Sequence, residues 1–280
     1  FLLFFTINKI NAQWKPIYLR AVDTAFLEIN RIQEFEGKIY VSSNQSGPAT
    51  LNQNGLSPQI NGLEKLEGSG LIATSNNLFY LGNSFYKFNT GQWQKLNSNF
   101  NPLFINVYTT FNDDIIAGTS QNGLFYYSSN SNQWIAKNSG ILDNRIINIH
   151  SNDTTCVVLA GNNQIYISSD SANNWNSINL NINEELKDVF ITNTHLVIKD
   201  QNNQISAINL DDNSTALITN SNLFIKNKSY FVTQTTGQLF IYNENLNLSH
   251  QLNYDRDLGE IFDLYHSSNN WYLASEKGLY

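Results

Sequence analysis

Three tryptophans, Trp93, Trp134 and Trp175, stand 41 and 41 residues apart, each just after a polar turn: Thr90-Gly91-Gln92, Ser131-Asn132-Gln133 and Ala172-Asn173-Asn174. A fixed period of this length means that one structural unit repeats and that each copy presents the same anchor to its neighbour. A second marker keeps step with the first, a short apolar run followed by a tight polar turn and an aromatic run. Its seven copies are Ile39–Ser42, Leu71–Thr74, Ile115–Gly118, Val157–Ala160, Leu196–Lys199, Tyr230–Thr233 and Tyr272–Ser275. Between them no stretch carries a 3.6-residue apolar period, and clusters of Asn, Gly and Ser punctuate the chain at strand-length intervals.

One unit reads strand by strand. Residues 145–150 make an inner strand, 156–160 a second, 164–168 a third and 175–180 an outer one, with turns at 151–155, 161–163 and 170–174. Four short strands per repeat predict an all-β fold, a β-propeller of about seven blades over residues 13–280. Alternating apolar positions let adjacent blades bury both faces of each sheet, and closing the ring protects the edges. The end at Gly278-Leu279-Tyr280 aligns with Gly123-Leu124-Phe125 in mid-unit, so the last blade is expected to be truncated at the C-terminus.

The residues carry a family resemblance. Ser168-Ser169-Asp170-Ser171-Ala172-Asn173-Asn174-Trp175 resembles the Asp-box (BNR-like) repeat, Ser-x-Asp-x-Gly-x-x-Trp, of sialidase-like and sortilin-like propellers, with Ala172 at the glycine position. Residues 127–134, ending on Trp134, resemble a degenerate copy with a shorter turn and Asn for Asp. The run 140–147, and Gly118-Thr119 with Gly123-Leu124-Phe125, resemble the repeats of bacterial periplasmic sensor propellers. The resemblance implies a structural box, in which Ser168 and Asp170 hold a hairpin turn and Trp93, Trp134 and Trp175 pack between blades. It also implies an exported protein of the Bacteroidetes kind, such as those joined to a C-terminal sorting domain or a sensor module.

The N-terminus supports the same compartment. Phe1-Leu2-Leu3-Phe4-Phe5, then polar residues and Ala12-Gln13-Trp14, reads as the end of a secretory signal over residues 1–12, the alternative being a first strand. No later run approaches the ~20 apolar residues that span a bilayer, so a secreted, cell-surface or periplasmic protein without a transmembrane segment is expected. The lone Cys156 sits in an apolar run and reads as a buried thiol. Charged residues are only 14% of the chain, and its 45 Asn supply the surface polarity instead. A formal charge of −7 with no cluster of Lys or Arg argues against nucleic acid as a partner.

Catalytic chemistry is harder to find. Sialidases grip a carboxylate with three arginines, one in Arg-Ile-Pro; here Arg20, Arg31, Arg145 and Arg256 are the only four, none followed by Ile-Pro. Glycoside hydrolysis needs two carboxyl groups facing each other across a cleft. Asp113, Asp114, Asp153, Asp170, Asp211 and Asp212 map to turns on one face, where Asp is a good turn former. The opposite, top face carries Asp143, Arg145, Glu184, Glu185, Asp188, Asp255, Arg256, Asp257 and Glu260 in its loops, and the first four with Asp255 and Arg256 are the candidate binding residues. Turns between second and third strands read as short, Asn76-Asn77 among them, with only 44–50 extended, which leaves little from which to build a deep cleft. The four histidines lack metal-ligand spacing, and no cofactor motif is present. The expected function is therefore a non-enzymatic binding or sensing module for a glycan or protein ligand. The alternative is a glycoside hydrolase working through Glu184 or Asp255.

Overall fold

The computed structural model describes residues 9–10 (backbone only), 14–15, 17, 28–68, 70–96, 101, 104–180, 182–254 and 257–280. It is an all-β, seven-bladed propeller. The blades span residues 29–58, 70–95, 105–136, 146–178, 186–220, 225–253 and 261–279, and strands within each run antiparallel from the central axis outwards. Blade 4 has strands Ile146–Ser151, Cys156–Ala160, Ile165–Ser168 and Asn176–Ile178, each within a residue or two of its predicted limits.

Packing between blades explains the tryptophan period. Trp93 lies with Phe35 and Tyr40 of blade 1, Trp134 with Phe79 and Phe85 of blade 2, and Trp175 with Phe111 and Leu124 of blade 3, all three buried. The segments leading into blades 2 and 4 fix their tryptophans by backbone contact. Trp93 N–H donates to the Asn61 carbonyl (2.8 Å) and Trp175 N–H to the Ser139 carbonyl (2.9 Å). Gly62 and Gly140 follow those acceptors with φ of +90° and +95°, and a Cβ on either would stand 2.1 Å from the tryptophan's carbonyl oxygen. Only glycine fits so close to another backbone.

The inner strands share a second regularity. Pairing with the second strand slips by one residue at Ile29/Arg31, Ile105/Val107, Ile146/Asn148, Leu186/Asp188 and Ile261/Asp263. Each slip is a β-bulge at the same position of its blade, and bulges re-aim the side chains beside them.

Closure joins residues far apart in sequence. Blade 7 contributes Ile261–Ser267, Asn270–Ser275 and the short third strand Gly278–Leu279, and its Ala274 and Leu279 enter one core with Ile29, Ile32 and Val41 of blade 1. Beside that third strand the Ile17 amide donates to the Leu279 carbonyl at 2.9 Å, while buried Trp14 packs on blades 6 and 7 and donates its indole N–H to the Asn253 carbonyl at 3.0 Å. Lys9–Ile10 pairs parallel with the outer strand of blade 6. Apart from that pair, residues 1–12, read as a signal remnant, lie outside the described residues.

Four details differ from the sequence reading. Leu71–Thr74 is the inner strand of blade 2, whose second strand is Leu78–Leu81; both are short and apolar, and the repeat phase slips between them. Asn76-Asn77 therefore turns on the bottom face, where Asp113 accepts from the Ser75 amide (2.5 Å) and the Asn76 side chain (3.2 Å). Residues 44–50 are no extended loop, because Gly47–Asn52 is a strand that tolerates Pro48. Asp188 lies on an inner strand rather than in a top loop.

Candidate ligand site in the central cavity

The top face is organised by its short hairpins. Gly161 N–H donates to the Arg145 carbonyl (2.7 Å), Gln201 N–H to that of Glu185 (2.8 Å) and Glu276 N–H to that of Glu260 (2.8 Å), tying each hairpin to the entry of its own inner strand. Arg145 closes the same loop with its guanidinium on the Gly161 carbonyl (2.6 Å), and Asp143 accepts from the Arg145 amide (2.8 Å). Asn163 donates to the Glu184 carbonyl (3.0 Å) and accepts from Leu186 N–H (2.7 Å), and Glu185 pairs with Lys187 (2.5 Å). Hairpin 161–163 thus stands between the Asp143–Arg145 loop and Glu184–Glu185. Among the described residues no hydrogen bond or ion pair joins the carboxylates of these two loops. Asp255 and Arg256 lie outside the described residues.

The bottom face holds Asp170. Its carboxylate accepts from the Asn173 and Asn174 amides (3.0 Å each), the Asn174 side chain (2.8 Å) and the Ser168 hydroxyl (2.8 Å), and these donors, Asn174 foremost, pull the carboxyl down to about 2. Ala172 takes a left-handed φ of +60° in this turn with its side chain wholly buried. In blade 3, where Asn130 stands for the aspartate, Asp114 of the second strand reaches across instead to the Ser129 amide (2.9 Å) and hydroxyl (2.6 Å).

The feature that sequence reading missed is the space between blades. A cavity of about 730 Å³ is walled by inner strands, and seven charged residues line it, Arg31, Asp188, Lys226 and Asp263 together with Glu34, Lys228 and Glu260. Asp188 and Lys226 pair at 2.6 Å, and the Lys226 ammonium also donates to the Val189 carbonyl (3.1 Å) and the Asn148 side chain, bridging blades 4, 5 and 6. Burial raises the Asp188 carboxyl and lowers the Lys226 ammonium, each opposed by the other's charge. Asp263 is buried, with one oxygen accepting from Ile32 N–H (2.9 Å) and the other from Leu264 N–H (2.9 Å); burial lifts it to about 6 against the pull of Arg31 and these amides. His150 accepts from Ile191 N–H (3.2 Å) and contacts the Asn227 carbonyl (3.1 Å); burial first, then Lys226, lowers it to about 3, so the ring is neutral and structural.

Arg31 differs from its neighbours. Its guanidinium lies over the Tyr108 ring, 5.8 Å from the centroid, and keeps solvent-accessible surface inside the cavity. Tyr108 foremost, then Asp263, favours its charged form against burial. Sequence gave no local signal for this cluster, since Arg31 and Asp263 lie on blades that meet only at ring closure. Among the described residues no group of three His, Cys, Asp or Glu could hold a metal, and no helix is long and apolar enough to cross a membrane.

The blades and their central cavity define the class, a seven-bladed β-propeller. No family model and no curated relative matches the chain. Solved structures do. PorZ, a bacterial surface component of the type-IX secretion system of Porphyromonas gingivalis, superposes with a TM-score of 0.70 at 11% identity, over 91% of this chain and 36% of its own. The extracellular domain of BT4673 of B. thetaiotaomicron, ascribed to a hybrid two component system, gives 0.69 at 16% identity over 95% and 39%. YCF48 bound to D1 peptide gives 0.70 at 12% identity over 98% and 96%. The chain spans little more than a third of the length of the first two, and at these identities the likeness is one of fold.

Proposed function

We propose that this propeller is a non-enzymatic binding module of an exported protein, secreted, periplasmic or at the cell surface. The observation that carries the reading is the top face. Its hairpins are short and bonded to their own blades, and Asp143 sits on one loop and Glu184 with Glu185 on the next, with hairpin 161–163 between them. Rigid, amide-rich loops present donors and acceptors to a glycan or a protein without a paired acid and base. Two of the similar structures, PorZ and the BT4673 domain, are surface or extracellular proteins by description, and a third carries a bound peptide, which supports export and a binding role. The Asp170 turn and the buried tryptophans serve in this reading as structural parts of the blades.

Fractionation with glycan-array binding and hydrolysis assays tests it. The expected result is protein outside the cytoplasm that retains a glycan or a protein partner without turning it over. Hydrolysis of a retained glycan that disappears in Glu184→Gln or Asp255→Asn would establish the hydrolase instead.

A further inference from the structure

Three cations line the central cavity; Lys228 pairs with Asp153 (2.5 Å) and Lys226 is engaged within the wall, which leaves Arg31 without an ion pair among the described residues. Lys226 gives its protons to Asp188, Asn148 and a backbone carbonyl, Asp188 is taken up by Lys226 and the Val189 amide (2.8 Å), and both oxygens of Asp263 accept backbone N–H groups. Arg31 has no carboxylate within 4.0 Å among the described residues, and its guanidinium faces the cavity with the Tyr108 ring beneath it. The buried Tyr108 hydroxyl reaches no partner at full hydrogen-bonding geometry; it favours the guanidinium's charge, as Asp263 and Asp188 also do, and can take at most one of its five N–H donors. A guanidinium with five N–H donors in a fixed fork fits a carboxylate in bidentate fashion. The surrounding wall carries the polar groups of Asn106, Thr109, Asn148 and Gln33. A volume of about 730 Å³ lies in the range of small-molecule pockets. Glu34 and Glu260, on the wall with Asp188 and Asp263, disfavour a polyanion.

We propose that the cavity binds a small ligand with one carboxylate and several hydroxyl or amide groups, Arg31 being the carboxylate anchor and Tyr108 the positioning platform for its guanidinium. This rests on the binding-module reading and names the ligand chemistry. The shared chemistry has two sources, a sugar acid or an N-acylated amino acid, and the probes separate them.

Titration calorimetry on the whole chain uses sodium glucuronate, N-acetylglycine, neutral glucose and cyclohexanecarboxylate, the last having a ring and a carboxylate but no hydroxyl. Glucuronate or N-acetylglycine is expected to bind, with glucose and cyclohexanecarboxylate at least tenfold weaker. Arg31→Gln should weaken the bound probe at least tenfold, Tyr108→Leu severalfold, and Tyr108→Phe, which keeps the ring, should restore it. Circular dichroism checks folding; if Arg31→Gln unfolds, the two Tyr108 variants decide. Binding of neither probe to the wild type overturns the proposal, as does unchanged affinity in Arg31→Gln, or in Tyr108→Leu where that pair decides. A glycan or protein retained on the outer loops and indifferent to Arg31→Gln would leave the binding-module reading standing while removing this site. Loss of all binding in every assay would remove both.

Discussion

The Trp175 indole N–H donates to the Lys137 carbonyl at 2.9 Å, so a side chain of blade 4 is held by the backbone at the outer edge of blade 3. Trp93 does the same to Gln59 at 2.6 Å one blade pair earlier. Trp175→Ala should cost about 3–5 kcal/mol of stability, the usual loss for a buried aromatic. Trp175→Phe keeps most of the packing and should cost less. Urea denaturation followed by circular dichroism measures both, and a loss below ~1 kcal/mol in the alanine variant would show that the tryptophan period is not a packing period.

Gly140 gives a sharper probe of the same clasp. Gly140→Ala places a methyl against the Trp175 carbonyl at a φ that L-residues avoid, and strain of this kind costs about 1–3 kcal/mol. Gly91, also at positive φ but with nothing within 4 Å of its Cβ position, isolates the backbone share of that loss. Thermal melts should place Gly140→Ala below Gly91→Ala.

Acid should act through Asp170. Its folded carboxyl is depressed to about 2, so its contribution is present above the ordinary carboxylate range near 4 and is lost as pH falls toward 2. Melting temperature between those limits should therefore fall less steeply in Asp170→Asn than in the parent. Identical slopes would show that the turn does not prefer the ionised form.

Asp263 should act in the opposite sense. Its folded value, about 6, lies above that of the unfolded chain, so its contribution is complete below pH 4 and is lost as pH rises through 6. Asp263→Asn removes this falling contribution, so stability should gain more between pH 4 and 6 in the variant than in the parent. His150 opposes the Asp263 contribution in the same window: its ring titrates near 6.5 when unfolded and only at about 3 when folded, so its burial costs stability at acid pH that is regained as pH rises from 3 towards 6.5.

The cross-cavity pair should be strongly coupled. Lys226→Met leaves Asp188 mostly buried and unpaired, a change of about 3–5 kcal/mol for a buried pair, discounted here because each side chain keeps some exposure, 14% and 19%. Adding Asp188→Asn should recover much of the loss, and a double-mutant cycle by chemical denaturation reads the coupling. Additive losses would mean that the two charges do not sense each other.

The blade architecture was legible because second strands such as Cys156–Ala160 are buried on both faces and stand out as unbroken apolar runs. Phase was lost at blade 2, where Leu71–Thr74 and Leu78–Leu81 look alike, and at Pro48, which reads as a breaker yet begins no loop. The cavity charges were invisible for another reason. In the sequence Arg31 is simply an arginine without the Ile-Pro of a sialidase, and Asp188 reads as a loop acid, since a single polar letter in an inner strand looks the same whether it meets solvent or a partner blade. The contact between Trp14 and Asn253 and that between Ile17 and Leu279 span nearly the whole chain, and no local pattern encodes them.

The bulge shared by five inner strands has an evolutionary consequence. It delivers the following side chain to the cavity by backbone geometry alone, and Arg31, Val107, Asn148, Asp188 and Asp263 occupy that slot with cationic, aliphatic, amide and acidic groups. The apolar residues on either side, Ile29 with Ile32, Ile146 with Ile149, Leu186 with Val189 and Ile261 with Leu264, are mostly fully buried and carry the packing. Tolerance and constraint therefore alternate along the same few residues. Single substitutions can change the chemistry that lines the hub of the ring, one letter at a time, while the scaffold that holds those letters stays unchanged.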